Sequence, residues 1–168
     1  METGIIIISL VLVGSVFIPY YFLERNGRAS RKQWQVAYHK AVKAHQLNII
    51  TEEAWEQNYI GIDDQLKKLL FIKSYDSVKT DTVIDLNNLS QCKVIEVRKY
   101  PRVKDKKTEI LERVDLELSF HQEENKLFLN LYDNKINFSE DYEIRRAEKW
   151  KQIISNHIHN YQRGNRVA

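Results

Sequence analysis

Six cationic side chains crowd a ten-residue segment in the second half of this 168-residue chain. They are Arg98, Lys99, Arg102, Lys104, Lys106 and Lys107, and only Asp105 opposes them. This density of positive charge attracts anions, so the segment is a candidate contact for anionic lipid, an acidic protein or nucleic acid. We disfavour nucleic acid because Tyr100 is the single aromatic residue of the segment, too few to form a platform for stacked bases, and the formal net charge is only +3. The alternative, which the sequence alone favours, is a solvated hairpin whose charges keep a strand edge from aggregating.

Histidine and cysteine spacing offers little support for a catalytic or metal site. His157 and His159 lie two residues apart and would point to different faces of a helix, without carboxylates at a zinc-site spacing. His39 and His45, six residues apart, are also poorly placed to converge. Cys92 is the only cysteine, which excludes an intramolecular disulfide, and no neighbouring histidine would activate it as a nucleophile.

Motifs of the common enzyme classes are missing from the sequence as well. The chain has no GxSxG motif, no glycine-rich phosphate loop and no dinucleotide fingerprint, and it contains only five glycines. We therefore predict no catalytic residue, no metal ligand and no cofactor. An enzyme whose catalytic groups converge from distant positions stays open as a third interpretation.

The first apolar segment predicts where the chain resides. Residues 4–23 are almost free of charge and span about 20 residues, the length that a helix needs to cross a hydrocarbon core. Four cations follow directly: Arg25, Arg28, Arg31 and Lys32. By the positive-inside rule, we predict a single transmembrane helix in the inner (plasma) membrane, with the rest of the chain in the cytoplasm. A cleaved signal peptide, the main alternative, would need a basic segment before the apolar run.

A juxtamembrane helix is predicted over residues 30–46. Ser30 and Gln33 form a capping box, and apolar residues then recur at spacings of three and four. These residues are Trp34, Ala37, Tyr38, Ala41 and Val42. Such a face suits a helix lying on anionic lipid or, as we favour, a helix packed on the following domain.

Beyond about residue 47 the pattern changes from helical to alternating. The alternation is unbroken over residues 114–120, as expected of a half-buried antiparallel strand. Six strands are predicted, over residues 55–62, 67–72, 82–86, 92–100, 114–120 and 126–132. Because no helix lies between them, they predict a meander that curls into a barrel or sandwich.

A closing helix is predicted after the strands. Ser139 is a suitable N-cap, and acidic residues in the first turn favourably oppose the helix dipole. The apolar stripe consists of Ile144, Ala147, Trp150, Ile154, Ile158 and Tyr161. We expect Trp150 to fill the open end of the barrel.

Three segments together resemble the pleckstrin-homology-like (PH-like) superfold. They are the hairpin from Ile60-Gly61-Ile62-Asp63 to Leu69-Leu70-Phe71-Ile72, the segment Ile84-Asp85-Leu86 before a long strand, and the helix core Ala147-Glu148-Lys149-Trp150. With the two preceding helices, the chain resembles membrane-anchored bacterial PH-like proteins. The resemblance implies an α+β fold: an antiparallel barrel or sandwich of six or seven strands over residues 49–162, capped by a C-terminal amphipathic helix.

The resemblance does not extend to the lipid-binding pattern of the family. Members that bind inositol phosphates carry a basic first hairpin. Here Lys67 and Lys68 stand beside Asp63 and Asp64, and this mixed charge does not predict phosphoinositide binding.

These features predict a single-pass, membrane-anchored, non-catalytic binding or scaffolding module. Its partner would be an unidentified protein, with anionic lipid as a further candidate for the basic segment. The alternative is a structural subunit of a membrane or envelope complex that assembles through its transmembrane helix.

Overall fold

The computed structural model describes residues 36, 38–56, 58–75, 78–103, 106–107, 109–122, 124–137 and 142–167. The chain divides after Ala44 into two units, and the described part of the first contains a helix, α1, at residues 38–44. The predicted transmembrane segment, residues 4–23, and the start of the predicted helix over residues 30–46 lie outside the described residues. Among the helices of the described part, none combines the length and the apolar character that crossing a bilayer requires.

Two main antiparallel sheets make up the unit that begins at His45. The first sheet has the order β1 (Thr51–Trp55), β2 (Asn58–Asp63), β3 (Lys68–Tyr75) and β4 (Val78–Asp85). A short 3-10 helix, Leu86–Asn88, leads into the second sheet, with the order β5 (Leu89–Lys99), β8 (Ile110–Phe120) and β9 (Lys126–Asp133). Between β5 and β8, a small ladder is formed by β6 (Arg102–Val103) and β7 (Lys106–Lys107), and α2 (Glu143–Val167) comes last.

The predicted PH-like barrel or sandwich of six or seven strands is wrong. The described residues form separate four-stranded and three-stranded sheets beside a C-terminal helix, without a barrel. Side chains, not paired backbones, bridge β9 and the first sheet: Trp55 Nε1 and Asn58 Nδ2 donate to the Leu131 carbonyl at 3.2 Å and 3.4 Å. Alternation along a strand indicates which face is buried but not which strand edges pair, so the sequence pattern could not separate the sheets.

The predicted strand over residues 55–62 combines the last residue of β1, a tight turn and most of β2. β1 ends at Trp55, β2 begins at Asn58, and Glu56 in the turn has a φ of 43°. Two-residue hairpin turns need a positive φ, which asparagine and glycine usually supply. Because neither residue is present in this turn, the sequence carried no sign of it.

Four members of the apolar stripe of α2, Ala147, Trp150, Ile154 and Ile158, lie in a core shared by both sheets, and Ile144 packs against it. Ala147, Trp150 and Ile154 are 0% exposed, and the helix packs against β5, β8, β9 and the 3-10 helix. The Trp150 indole N–H donates to Glu53 Oε2 on β1 at 2.9 Å. The helix begins at Glu143, whereas the predicted N-cap Ser139 lies outside the described residues.

One buried carboxylate holds the turn between β2 and β3. Asp63 is 1% exposed and accepts three backbone N–H groups. The donors are Asn48, Gln65 and Leu66, at 2.6, 2.9 and 2.8 Å. Burial raises the pKa of Asp63, but these donors outweigh burial, so the pKa lies below its ordinary value. The turn ends at Lys67, whose carbonyl accepts the Leu86 N–H at 2.8 Å and so joins the turn to the 3-10 helix.

Candidate functional site

The β5–β8 hairpin extends beyond the rest of its sheet as a two-stranded arm. β9 pairs with β8 only as far as Arg113. Beyond that point, Ile110 and Leu111 pair with Lys99 and Arg98 of β5 alone. The β6–β7 ladder continues the arm, so the described members of the basic segment all lie on it.

Carboxylates neutralise the two cations at the base of the arm. The Arg98 guanidinium contacts Glu96 at 2.6 Å and Glu109 at 2.5 Å. Hydrogen bonds to these two carboxylates raise the pKa of Arg98. Lys99 pairs with Glu112 across the hairpin. Arg98 and Lys99 are therefore engaged within the protein and are the weakest members of the predicted contact.

We call residues 102–107 the outer part of the arm, and in the sequence this range contains four cations of the predicted contact: Arg102, Lys104, Lys106 and Lys107. Arg102 and Lys107 are direct partners in the β6–β7 ladder, so two positive charges occupy one cross-strand pair. Like charges placed opposite each other destabilise a strand pair. Lys104 lies outside the described residues. The juxtamembrane cations Arg25, Arg28, Arg31 and Lys32 also lie outside them.

A half-buried lysine that the sequence patterns did not single out joins the two sheets. Lys73 Nζ on β3 donates to the side-chain oxygen of Asn130 on β9, and Asn130 Nδ2 donates to Asp115 Oδ1 at 2.6 Å. Burial lowers the pKa of Lys73, against the opposing influence of Asp133, Asp115 and Glu56. The sequence placed Lys73 in a loop, and no local pattern connects it to residues more than 40 positions later.

A second polar network fixes α2 to β1. Arg146 contacts Glu53 at 2.9 Å and Glu143, one turn earlier on the same helix, at 2.5 Å. Lys149 Nζ and Trp150 Nε1 also contact the Glu53 carboxylate, each at 2.9 Å. Glu53 thus receives donors from three side chains of one helix, an arrangement that positions the helix.

The histidines of this unit occupy separate places. His157 Nε2 lies 3.2 Å from Asp64 Oδ1, and His45 Nε2 lies 2.8 Å from Asp81 Oδ2. His159 Nδ1 lies 2.8 Å from a carbonyl oxygen of its own helix. Across the described ranges, no group of three or more His, Cys, Asp or Glu side chains is arranged to hold a metal ion.

We expect Cys92 to be chemically inert in the folded chain. It is 7% exposed on β5, and burial raises the pKa of its thiol from 9.0 to about 12. The reactive thiolate is thereby depleted by about three orders of magnitude. Mass spectrometry after maleimide treatment at neutral pH should show little modification of the native chain and rapid modification after unfolding. Equal rates before and after unfolding would contradict this assignment.

Comparison of the chain with protein-family models, with curated proteins and with solved structures found no match. These comparisons therefore supply no family and no related protein from which an activity could be transferred. The function proposed for this chain rests on its own residues.

Proposed function

We propose that this chain is a single-pass, membrane-anchored, non-catalytic binding or scaffolding module whose basic arm contacts an anionic surface. The apolar run at residues 4–23 and the cations that follow it support an anchor in the inner (plasma) membrane. The same charge asymmetry supports a cytoplasmic placement of the remaining chain. An anchored arm would work close to the anionic lipids of the inner leaflet.

The pairing of two cationic residues across the outer ladder is the observation that carries this proposal. Acidic side chains engage Arg98 and Lys99 at the base of the arm. In the outer ladder, the strand register pairs Arg102 with Lys107. In the sequence of the outer part, Asp105 is the sole carboxylate. Because opposed like charges destabilise a strand pair, an external anion is the partner that would stabilise this ladder.

Exposed apolar side chains accompany the cations on the arm. Tyr100 is 60% exposed and Ile110 is 42% exposed. Aromatic and aliphatic side chains beside cations are typical of segments that lie in the headgroup region. Each outer cation that reaches an anionic leaflet would contribute on the order of 1 kcal/mol. This combination favours lipid over an acidic protein as the anionic surface.

An environment-sensitive fluorophore on the arm would test this contact. The label is attached through Asp105→Cys in the full chain, reconstituted in nanodiscs with and without phosphatidylserine, and the buried Cys92 stays unlabelled. We expect a blue shift of the emission only with phosphatidylserine, because the outer cations would draw the arm into the headgroups. Added salt should reverse the shift, since it screens exposed charges.

The matched control is a label at Glu124→Cys, in the exposed turn at the opposite end of β8. β8 has 11 residues and is therefore about 35 Å long, so this second probe should not respond. Replacing Lys106 and Lys107 with glutamine in the arm-labelled chain should abolish the blue shift. Equal emission in both kinds of nanodisc, or an equal response of both probes, would contradict the lipid contact.

A further inference from the structure

A small cavity lies at the end of β5 farther from the arm, where the β2–β3 turn, the 3-10 helix and α2 meet. Its volume is about 160 Å³, and it is lined by Lys67, Leu86, Asn87, His157 and Asn160. A water molecule takes about 30 Å³ in the liquid, so the cavity has room for a group of several heavy atoms. A concave site with an apolar residue and a few convergent polar groups is typical of small-ligand binding.

Three of the polar side chains around the cavity carry donors without a partner among the described residues. Within the part of the chain that the structure describes, the Lys67 ammonium and the side-chain amides of Asn87 and Asn160 make no hydrogen bond or ion pair. By contrast, Arg98 and Lys99 at the base of the arm form ion pairs with carboxylates. The donors around the cavity are therefore available to an incoming acceptor.

His157 contributes an imidazole from α2 to the same cavity. Its side chain is 18% exposed, and its Nε2 lies 3.2 Å from Asp64 Oδ1. Burial lowers the pKa of His157, Asp64 raises it, and Lys67 lowers it, with a net downward shift. The lowered pKa favours a neutral imidazole, which can still donate a hydrogen bond to a ligand beside the Lys67 ammonium.

The backbone holds Lys67 in place at the rim of the cavity. Its φ of 52° is in the left-handed region, which side chains with a Cβ rarely adopt. The hydrogen bond from the Leu86 N–H to the Lys67 carbonyl, at 2.8 Å, fixes this residue beside the 3-10 helix. The buried Asp63 carboxylate organises the turn that precedes it. Pre-organisation of this kind reduces the entropy lost when a ligand binds.

We propose that this cavity binds a small oxyanion, a phosphate or carboxylate group, held by Lys67, His157 and the amides of Asn87 and Asn160. Charge-assisted hydrogen bonds from Lys67 would supply affinity, and the amides would orient the oxygens. A metal cation is disfavoured because Lys67 would repel it and because, among the described residues, His157 and Asp64 are the only pair of metal-ligand side chains beside the cavity. The site is independent of the membrane contact, since the 11 residues of β5 separate it from the arm by about 35 Å.

Histidine-selective NMR of the full chain in a nonionic detergent would test this proposal. The protein, labelled with 13C at the histidine rings, is titrated separately with inorganic phosphate and with acetate. We expect a saturable shift of the His157 resonance with at least one anion, and no shift of His45, which pairs with Asp81 elsewhere. A response to phosphate alone identifies a phosphate site, and a response to both anions identifies a general oxyanion site.

Three variants separate a built site from general charge attraction. Lys67→Gln should weaken anion binding by about tenfold or more, because it removes a charged hydrogen bond. Lys135→Gln removes the same charge from an exposed residue outside the cavity and should leave binding unchanged. Asp64→Asn removes a carboxylate that would repel an anionic ligand, so this variant should bind the anion more tightly. Misfolding cannot produce such a gain in affinity.

Several results would overturn the oxyanion site. One is the absence of a saturable His157 shift with either anion. Another is an equal shift of His157 and His45, which would indicate a bulk salt effect. Equal weakening by Lys67→Gln and Lys135→Gln would show that binding depends on net charge alone. The nanodisc experiment on the arm is unaffected by these outcomes, so the two proposals fail separately.

Discussion

Replacement of Trp150 with alanine is expected to lower the free energy of unfolding by about 3 to 5 kcal/mol. Trp150 is 0% exposed and is among the largest fully buried side chains of the core. Its removal leaves a cavity between α2 and the sheets and takes away the indole N–H that donates to Glu53 at 2.9 Å. Chemical denaturation followed by circular dichroism measures the change.

A second variant, Trp150→Phe, separates the two parts of this effect. It keeps most of the buried volume but loses the donor to Glu53, so its cost should be about 1.5 to 3 kcal/mol, typical of a hydrogen bond to a charged group. A loss below about 1 kcal/mol for Trp150→Ala would contradict the central position of this side chain in the core.

Replacement of Arg146 with methionine is expected to cost a similar amount, about 3 to 5 kcal/mol. The Arg146 side chain is 10% exposed, and its partner Glu143 is 1% exposed, so the variant leaves a buried carboxylate without this cation. The guanidinium also lies 4.7 Å from the centroid of the Trp55 ring, a cation–π contact that the variant removes. Methionine keeps much of the side-chain volume, so the measured loss reports the charge.

Lys149→Met is the matched control for Arg146→Met. Lys149 contacts the same Glu53 carboxylate, but its side chain is 56% exposed. Exposed ion pairs contribute less than about 1 kcal/mol, so the control should remain close to the parent chain in stability. Equal losses in the two variants would contradict the difference in burial on which this prediction depends.

The same network predicts how stability depends on pH. Burial raises the pKa of Glu53, but hydrogen bonds from Lys149, Arg146 and Trp150 outweigh burial and hold it below its ordinary value of 4.5. Because the pKa is depressed in the folded state, Glu53 stabilises the fold above roughly pH 4.5, and this contribution is lost as pH falls through the folded pKa. Denaturation at a series of acidic pH values should show this decline, and Glu53→Gln should reduce it. An unchanged acid dependence in Glu53→Gln would contradict this role for Glu53.

The basic segment illustrates how far sequence reasoning reaches toward a site. Its six cations were predicted on a hairpin, and the described members do lie on the β5–β8 arm. The sequence did not predict that Arg98 is paired with carboxylates. That pairing depends on Glu96 of the same strand and on Glu109 across the hairpin. The β5–β8 register also shifts between Val97 and Arg98, and no residue pattern announces that irregularity. Pairing across the hairpin is therefore decided by the tertiary structure.

The cavity beside Lys67 is a second feature that the sequence pattern could not predict. Lys67, Asn87 and His157 are ordinary surface residue types on three different elements, with no motif among them. Composition and spacing treated His157 only as half of a poor metal pair with His159. Convergence on one volume follows from the packing of α2 against the 3-10 helix, which local patterns do not encode.

Local periodicity alone was sufficient to predict a strand at residues 114–120, which lie within β8. It was also sufficient to predict the amphipathic helix α2. It was sufficient because each face of a strand or helix is defined by neighbours within a few positions. Only the tertiary structure decided that the strands form two separate sheets and that Lys73, Asn130, Glu53 and Trp150 join distant elements. These contacts link residues 57 and 97 positions apart, and their geometry depends on packing that no short segment determines.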